Sequence, residues 1–204
     1  MKLTLRQTQK LIIASAAIVF FLGITGFSAK CEDIQSSVLR LHVIANSDSA
    51  CDQELKLKVR DAVLLSGKEV FSGSDDVKSA EEKIRDNSDK ILETAQRVIR
   101  EEGFGYDVRL EISNDDFPTR TYGDTTLPAG RYRAVKIIIG EGSGHNWWCV
   151  MFPALCIPGA SSDVSIEDVL TNSETKFVKS DPEIDVRFRI VDVFDKMTKI
   201  FKIN

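Results

Sequence analysis

"VLRLHVIANSDSACDQELKLKVRDAV", residues 38–63, decides how the rest of the chain is read. Val38–Ala45 is β-branched and apolar apart from Arg40 and His42, the composition of a mostly buried strand. "NSDS" at 46–49 ends it as a turn, because these side chains bond to nearby backbone groups. Ser49 and Asp52 have the spacing of a capping box, in which each side chain satisfies a free N–H at a helix start. Leu55, Val59, Ala62, Val63 and Ser66 then recur at helical intervals, while Lys56, Lys58 and Arg60 fall off that stripe. The spacing predicts a helix over about 50–71, with Gly67 tolerated at some cost.

"SGSDD" (72–76) breaks this helix, and Val77, Ala80, Ile84, Ile91, Ala95 and Val98 predict a second one over about 77–102, stopped by Gly103. "YDVRLEIS" (106–113) alternates strictly and predicts a half-buried strand. Residues 117–140 read as a strand or extended arm, a type I turn at Leu127-Pro128-Ala129-Gly130 and a strand over 131–139. "GEGSG" (140–144) is a glycine-rich corner leading into "GHNWWCVMFPALC" (144–156). Residues 157–182 form a polar loop insertion with a short helix near 165–171. "PEIDVRFRIVDVFDKMTKIF" (182–201) predicts a broad-faced helix, with the alternation of Val186, Phe188 and Ile190 arguing for a strand instead. The sum is an α+β fold: a small, largely antiparallel sheet with two or three amphipathic helices packed on one face.

Residues 1–30 stand apart. Lys2, Arg6 and Lys10 precede the 19-residue uncharged run 11–29, closed by Lys30. A basic lead and a long apolar run mark a signal peptide or membrane anchor. The run sits at the length limit for spanning a bilayer, so a cleaved signal and a retained anchor are equally compatible with it. Either way the remainder is expected outside the cytoplasm: a short linker at 31–36 and one extracytoplasmic domain over 37–204. Beyond residue 30 the chain holds 23 basic and 31 acidic side chains, a net charge of −8. That balance argues against nucleic acid as a partner and leaves the membrane only through the N-terminal segment, if uncleaved.

Few residues are suited to catalysis. His42 falls in a strand, where a hydrogen-bonded structural role is expected. His145, Cys149 and Cys156 match no standard zinc spacing and lack a fourth ligand, so neither a metal nor another cofactor is expected. A thiol enzyme or other hydrolase using Cys149 with His145 is the alternative reading. Cys149 and Cys156 also have the separation of a short-loop disulfide in an oxidising compartment, or of two buried thiols; Cys31 and Cys51 carry no assigned role. Asp115 with Asp116 and Asp75 with Asp76 read as solvated turns. Trp147 and Trp148 are either core residues or an exposed recognition platform.

Three stretches, 39–63, 117–156 and 186–194, resemble in that order the stage II sporulation protein R family of endospore-forming bacteria. The family's recurrent motifs are matched by Ala45-Asn46-Ser47-Asp48-Ser49, Asp52, Gln53, Arg60 and Asp61, by Tyr122-Gly123 and Pro128-Ala129-Gly130, and by Gly144, Asn146–Cys149, Phe152, Pro153, Leu155 and Cys156. Cys51, Met151 and Ala154 depart from the pattern. The resemblance implies a non-catalytic signal made in the forespore and exported into the space between forespore and mother-cell membranes. There it would trigger a membrane-embedded aspartic protease of the mother cell that processes the pro form of sigma factor E. No catalytic residue is carried over. The expected receptor-binding surface joins Asn46, Ser47 and Asp48 to Asn146, Trp147, Trp148 and Phe152.

Overall fold

The computed structural model describes residues 6, 13–15, 18, 27–71, 74–155 and 165–179. The chain divides into two units, Met1–Asp33 and Ile34–Asn204. Among the described residues of the first unit, and of the chain as a whole, no helix is long and apolar enough to cross a membrane. The 31–36 stretch is helical, and Ile34 is fully buried.

The second unit is built on β1 (Leu39–Ile44), the expected buried strand. It leads into α1 (Ala50–Phe71), α2 (Val77–Asp86) and α3 (Ser88–Glu101), then β2 (Val108–Phe117), the short hairpin β3 (Arg120–Tyr122) and β4 (Thr125–Leu127), β5 (Gly130–Ile139) and β6 (Asn146–Phe152). Two short helices, α4 (Ile166–Val169) and α5 (Asn172–Val178), lie in the stretch read as a loop insertion. The four main strands run in the order β2-β5-β1-β6; β1 is parallel to β5 and antiparallel to β6, and β2 is antiparallel to β5. The fold is therefore α+β, with a sheet that is largely antiparallel. The helix-or-strand stretch at 182–201 lies outside the described residues.

Three expectations are corrected. The helix over 77–102 is two helices, because the Asn87 amide donates to the Lys83 carbonyl (2.8 Å) and ends the first one. The β2 strand runs on to Phe117 instead of stopping at 113, and Asp115 lies within it: Lys136 on β5 reaches its carboxylate at 3.1 Å, so the pair has no need of a solvated turn. Cys149, read as one end of a short loop closed with Cys156, lies with both tryptophans in the strand β6, which fits the β-propensity of its aromatic and branched residues.

Period-two alternation gives the sheet two working faces. Leu39, Leu41 and Val43 meet Val135, Ile137, Ile139 and Met151 under Leu55, Val59, Ile84, Ile91 and Ile99 of the three long helices. The opposite face joins Val38, Ala134, Tyr132, Phe117 and Val150 to Leu127, Ile166, Leu170 and Val178. Arg133 on β5 also holds Glu81 on α2 (2.5 Å), and with help from Arg85 against the upward push of burial draws that carboxyl down to about 2.

On the second face Arg40 is fully buried, with hydrogen-bond partners among the described residues for Nε and Nη2 but none for Nη1. Its Nε donates to the Cys149 carbonyl (3.1 Å) and its Nη2 to the Tyr122 hydroxyl (2.8 Å). The guanidinium lies 4.3 Å from the Phe117 ring, 4.8 Å from Tyr132 and 5.5 Å from Tyr122, so the rings supply part of the stabilisation water would have given. One cation thereby fastens the hairpin to β1, β2 and β6.

His42, two residues on, is packed edge-on against Trp148 (3.8 Å) and Phe117 (4.2 Å). Burial pushes its imidazole down to about 4 from 6.5. A depressed histidine stabilises the fold fully above the unfolded value and loses that contribution as pH falls from about 6.5 towards 4. Urea titrations across that window should show the advantage of the native chain over a His42→Gln variant shrinking by about 3 kcal/mol.

Candidate functional site

The parallel pairing of β1 with β5 and the antiparallel return of β6 bring the turn after β1 and the β5–β6 corner to one end of the sheet. They are laced together there. The Gly144 N–H donates to the Ala45 carbonyl (3.0 Å), and the Ser143 N–H and hydroxyl both donate to the Asn46 carbonyl (3.2 and 2.6 Å). The Glu141 N–H donates to the Asn46 side-chain oxygen (3.0 Å) and the His145 N–H to Asp48 (2.6 Å). The His145 ring also pairs with Asp48, and these contacts hold the exposed Asp48 carboxyl below its ordinary range.

Gly144 makes the lacing sterically feasible. A Cβ there would sit 2.2 Å from the Ser47 carbonyl oxygen, so only glycine admits the two backbones at this distance.

Beneath the turn, Asp52 is buried and acts as its common acceptor. It takes hydrogen bonds from the Asn46 amide (2.9 Å) and the Ser47 hydroxyl (2.6 Å). Burial alone would raise its carboxyl, but the bonds from Ser47, Asn46, Tyr106 and Ser49 outweigh that and keep it low. The expected capping box is thus only half present. Ser49 accepts from the Asp52 N–H (3.2 Å), but the Ser49 N–H turns to the Ser47 hydroxyl (3.2 Å), because the Asp52 carboxylate is already committed to the turn.

Lys56, which falls off the apolar stripe of α1, is nevertheless buried, at 5% exposure. Its ammonium donates to Gln53 (2.5 Å) and to the His145 carbonyl (3.0 Å). Burial lowers its proton affinity, partly offset by Asp48.

The expected surface residues divide between outside and inside. Asn146 is exposed, Asn46 and Ser47 are half-buried in the lacing, and Trp147 is half-buried with the Arg60 guanidinium 4.6 Å above its ring. Arg60 is itself held by Asp61 (2.7 Å). Trp148, half-buried like Trp147, points to the other face against His42 and Phe117 (4.8 Å), and Phe152 is 4% exposed, so Phe152 is not offered to a partner and Trp148 lies on the opposite face from Trp147. Tyr106, Glu141, Ser143 and Lys56 join the site without a signal in sequence spacing, since three different elements deliver them.

Cys149 and His145 are not assembled for thiol chemistry. Four residues of extended strand separate their backbones by about 13 Å, Cys149 is fully buried and disulfide-bonded, and the His145 side chain is 81% exposed and paired with Asp48. Cys31 and Cys51 are free thiols; Cys156 lies outside the described residues. Among the described residues no group of three or more His, Cys, Asp or Glu side chains is placed to hold a metal ion.

Residues 35–162 match the family model described as stage II sporulation protein R. The chain is 38% identical over 138 residues to the stage II sporulation protein R of Bacillus subtilis (strain 168), a match spanning 66% of this chain and 60% of that relative. No solved structure matches it. The matched region contains every residue of the laced end. A Gly144→Ala substitution should cost about 2 kcal/mol in equilibrium unfolding, because the added methyl group must force the 45–49 turn off the corner.

Proposed function

The chain belongs to the stage II sporulation protein R family and so has its role in sporulation, and on that premise we propose that it is an exported signal that activates a membrane-embedded aspartic protease of the mother cell. In this reading the N-terminal segment carries the domain out of the forespore into the space between the two membranes. The domain binds the extracytoplasmic part of the protease and, by binding its active state more tightly than its resting one, drives processing of the pro form of sigma factor E.

The observation that supports this most is the joining of the 45–49 turn to Asn146 and Trp147 at one end of the sheet. Ten bonds to neighbouring groups fix Asn46, Ser47 and Asp48. A surface held this rigidly loses little entropy on binding, which favours recognition over turnover. Trp147 supplies the large, partly exposed aromatic group that dominates binding energy at interfaces, and Arg60 keeps it in place. In this reading the protein acts without catalysing, which the separation of the disulfide-bonded Cys149 from the exposed His145 supports against the thiol-enzyme alternative.

Co-expression of the chain with the candidate protease and pro-sigma factor in a non-sporulating host tests the reading. Cleavage of the pro-sequence is the expected outcome, and its absence despite proven export would overturn the proposal. A Trp147→Ala variant should lose processing while its unfolding free energy stays within about 1–2 kcal/mol of the native chain. Trp148→Ala, in contrast, should cost about 3 kcal/mol of stability, since its ring is part of the packing around His42.

A further inference from the structure

A lysine placed among core residues is an anomaly that the packing does not require. Lys56 lies one residue after Leu55 and three before Val59, both fully or almost fully buried. Among the described residues no carboxylate stands within ion-pair distance of its ammonium; its two acceptors are neutral oxygens. Removing a charge from water without such a partner destabilises a protein, and a well-packed apolar side chain of similar length would do better there.

The geometry shows what that charge does instead. The Lys56 ammonium grips the carbonyl of His145, the residue directly before Asn146 and Trp147. Its other acceptor, Gln53, sends its amide to the Ser47 carbonyl (2.9 Å) and to Asp48 (3.3 Å). The two side chains thus form a strut, rooted one helical turn apart on α1, with one end on each of the two loops that make the recognition surface. Other contacts of the lacing run loop to loop; this one refers both loops to the helix. Asp48 and Arg60 are the charged groups among the described residues that act on the Lys56 ammonium, the first favouring its charge and the second opposing it.

We infer that Lys56 is a positioning residue: together with Gln53 it sets where Asn146 and Trp147 stand relative to the 45–49 turn, and is retained for recognition at a cost in stability. The inference rests on the reading of this end as the partner-binding surface. Lys56 does not touch the partner.

The full chain carrying Lys56→Met tests it through three readouts. The thermal midpoint should be unchanged or raised, because a buried charge is replaced by an apolar side chain of matching length. Hydrogen exchange at the 145–147 amides, measured with no partner present, should rise about tenfold, and processing in the co-expression assay should fall about tenfold, as expected when the competent arrangement drops to roughly a tenth of the population. Gln53→Met should move exchange and processing in the same direction.

Native exchange in Lys56→Met would overturn the strut, and native processing would overturn its role in recognition. A lower midpoint with processing lost only in step with the unfolded fraction would make Lys56 a structural residue and also overturn the inference. If Trp147→Ala keeps full processing, it is the choice of surface that fails, while the exchange measurement still decides whether the strut exists.

Discussion

β1 is hydrogen-bonded along both edges and covered on both faces, and this double constraint governs the rest of the domain. A six-residue strand in that position cannot slip, because a shift by one residue would exchange Leu39, Leu41 and Val43 with Arg40 and His42. Its register therefore fixes β5 on one side and β6 on the other. The turn after β1 and the corner between β5 and β6 must then emerge side by side. The candidate surface follows from strand pairing before any loop residue is considered.

What loops add is polar satisfaction. Asp52, Lys56 and Arg40 are three ionisable side chains that the folded domain has taken out of water, and each is met differently: Asp52 by donors from the turn, Lys56 by neutral oxygens, Arg40 by a carbonyl, a hydroxyl and aromatic faces. Such groups contribute little net stability compared with hydrocarbon of the same volume, but they accept only one arrangement of their partners. The core gives the domain its stability and this polar set gives its ends their shape.

The alternation and helical spacing of apolar residues made β1, α1, the start of β2 and β5 legible in the sequence, because those patterns record burial directly. The break at Asn87 was not, since a side-chain bond to the Lys83 carbonyl leaves the apolar period running through it undisturbed. β6 was hidden by its glycine-rich lead-in and by Pro153, which advertise a loop although six of the seven residues between pair with β1, Met151 being passed over at a register shift. At the site, the turn and the tryptophan segment were named together through family resemblance, and the structure joins the turn to Asn146 and Trp147 while turning Phe152 inward. Lys56 was missed because helical spacing treats a charged side chain as outward-facing, and its second acceptor, the His145 carbonyl, is brought by a corner nearly ninety positions away.

That separation in sequence has a consequence for timing. The lacing bonds join residues 95 to 99 positions apart, so none of them can form until β5 and the corner leading into β6 have been delivered and folded. Contacts of such long range assemble late, after the local helices. On the proposed reading, a chain crossing a membrane in extended form would carry no recognition surface during transit, and neither would a fragment clipped before residue 140. Under the proposed function the message would be readable only in an intact, fully folded copy, and completion of folding would act as the last gate on when it is sent.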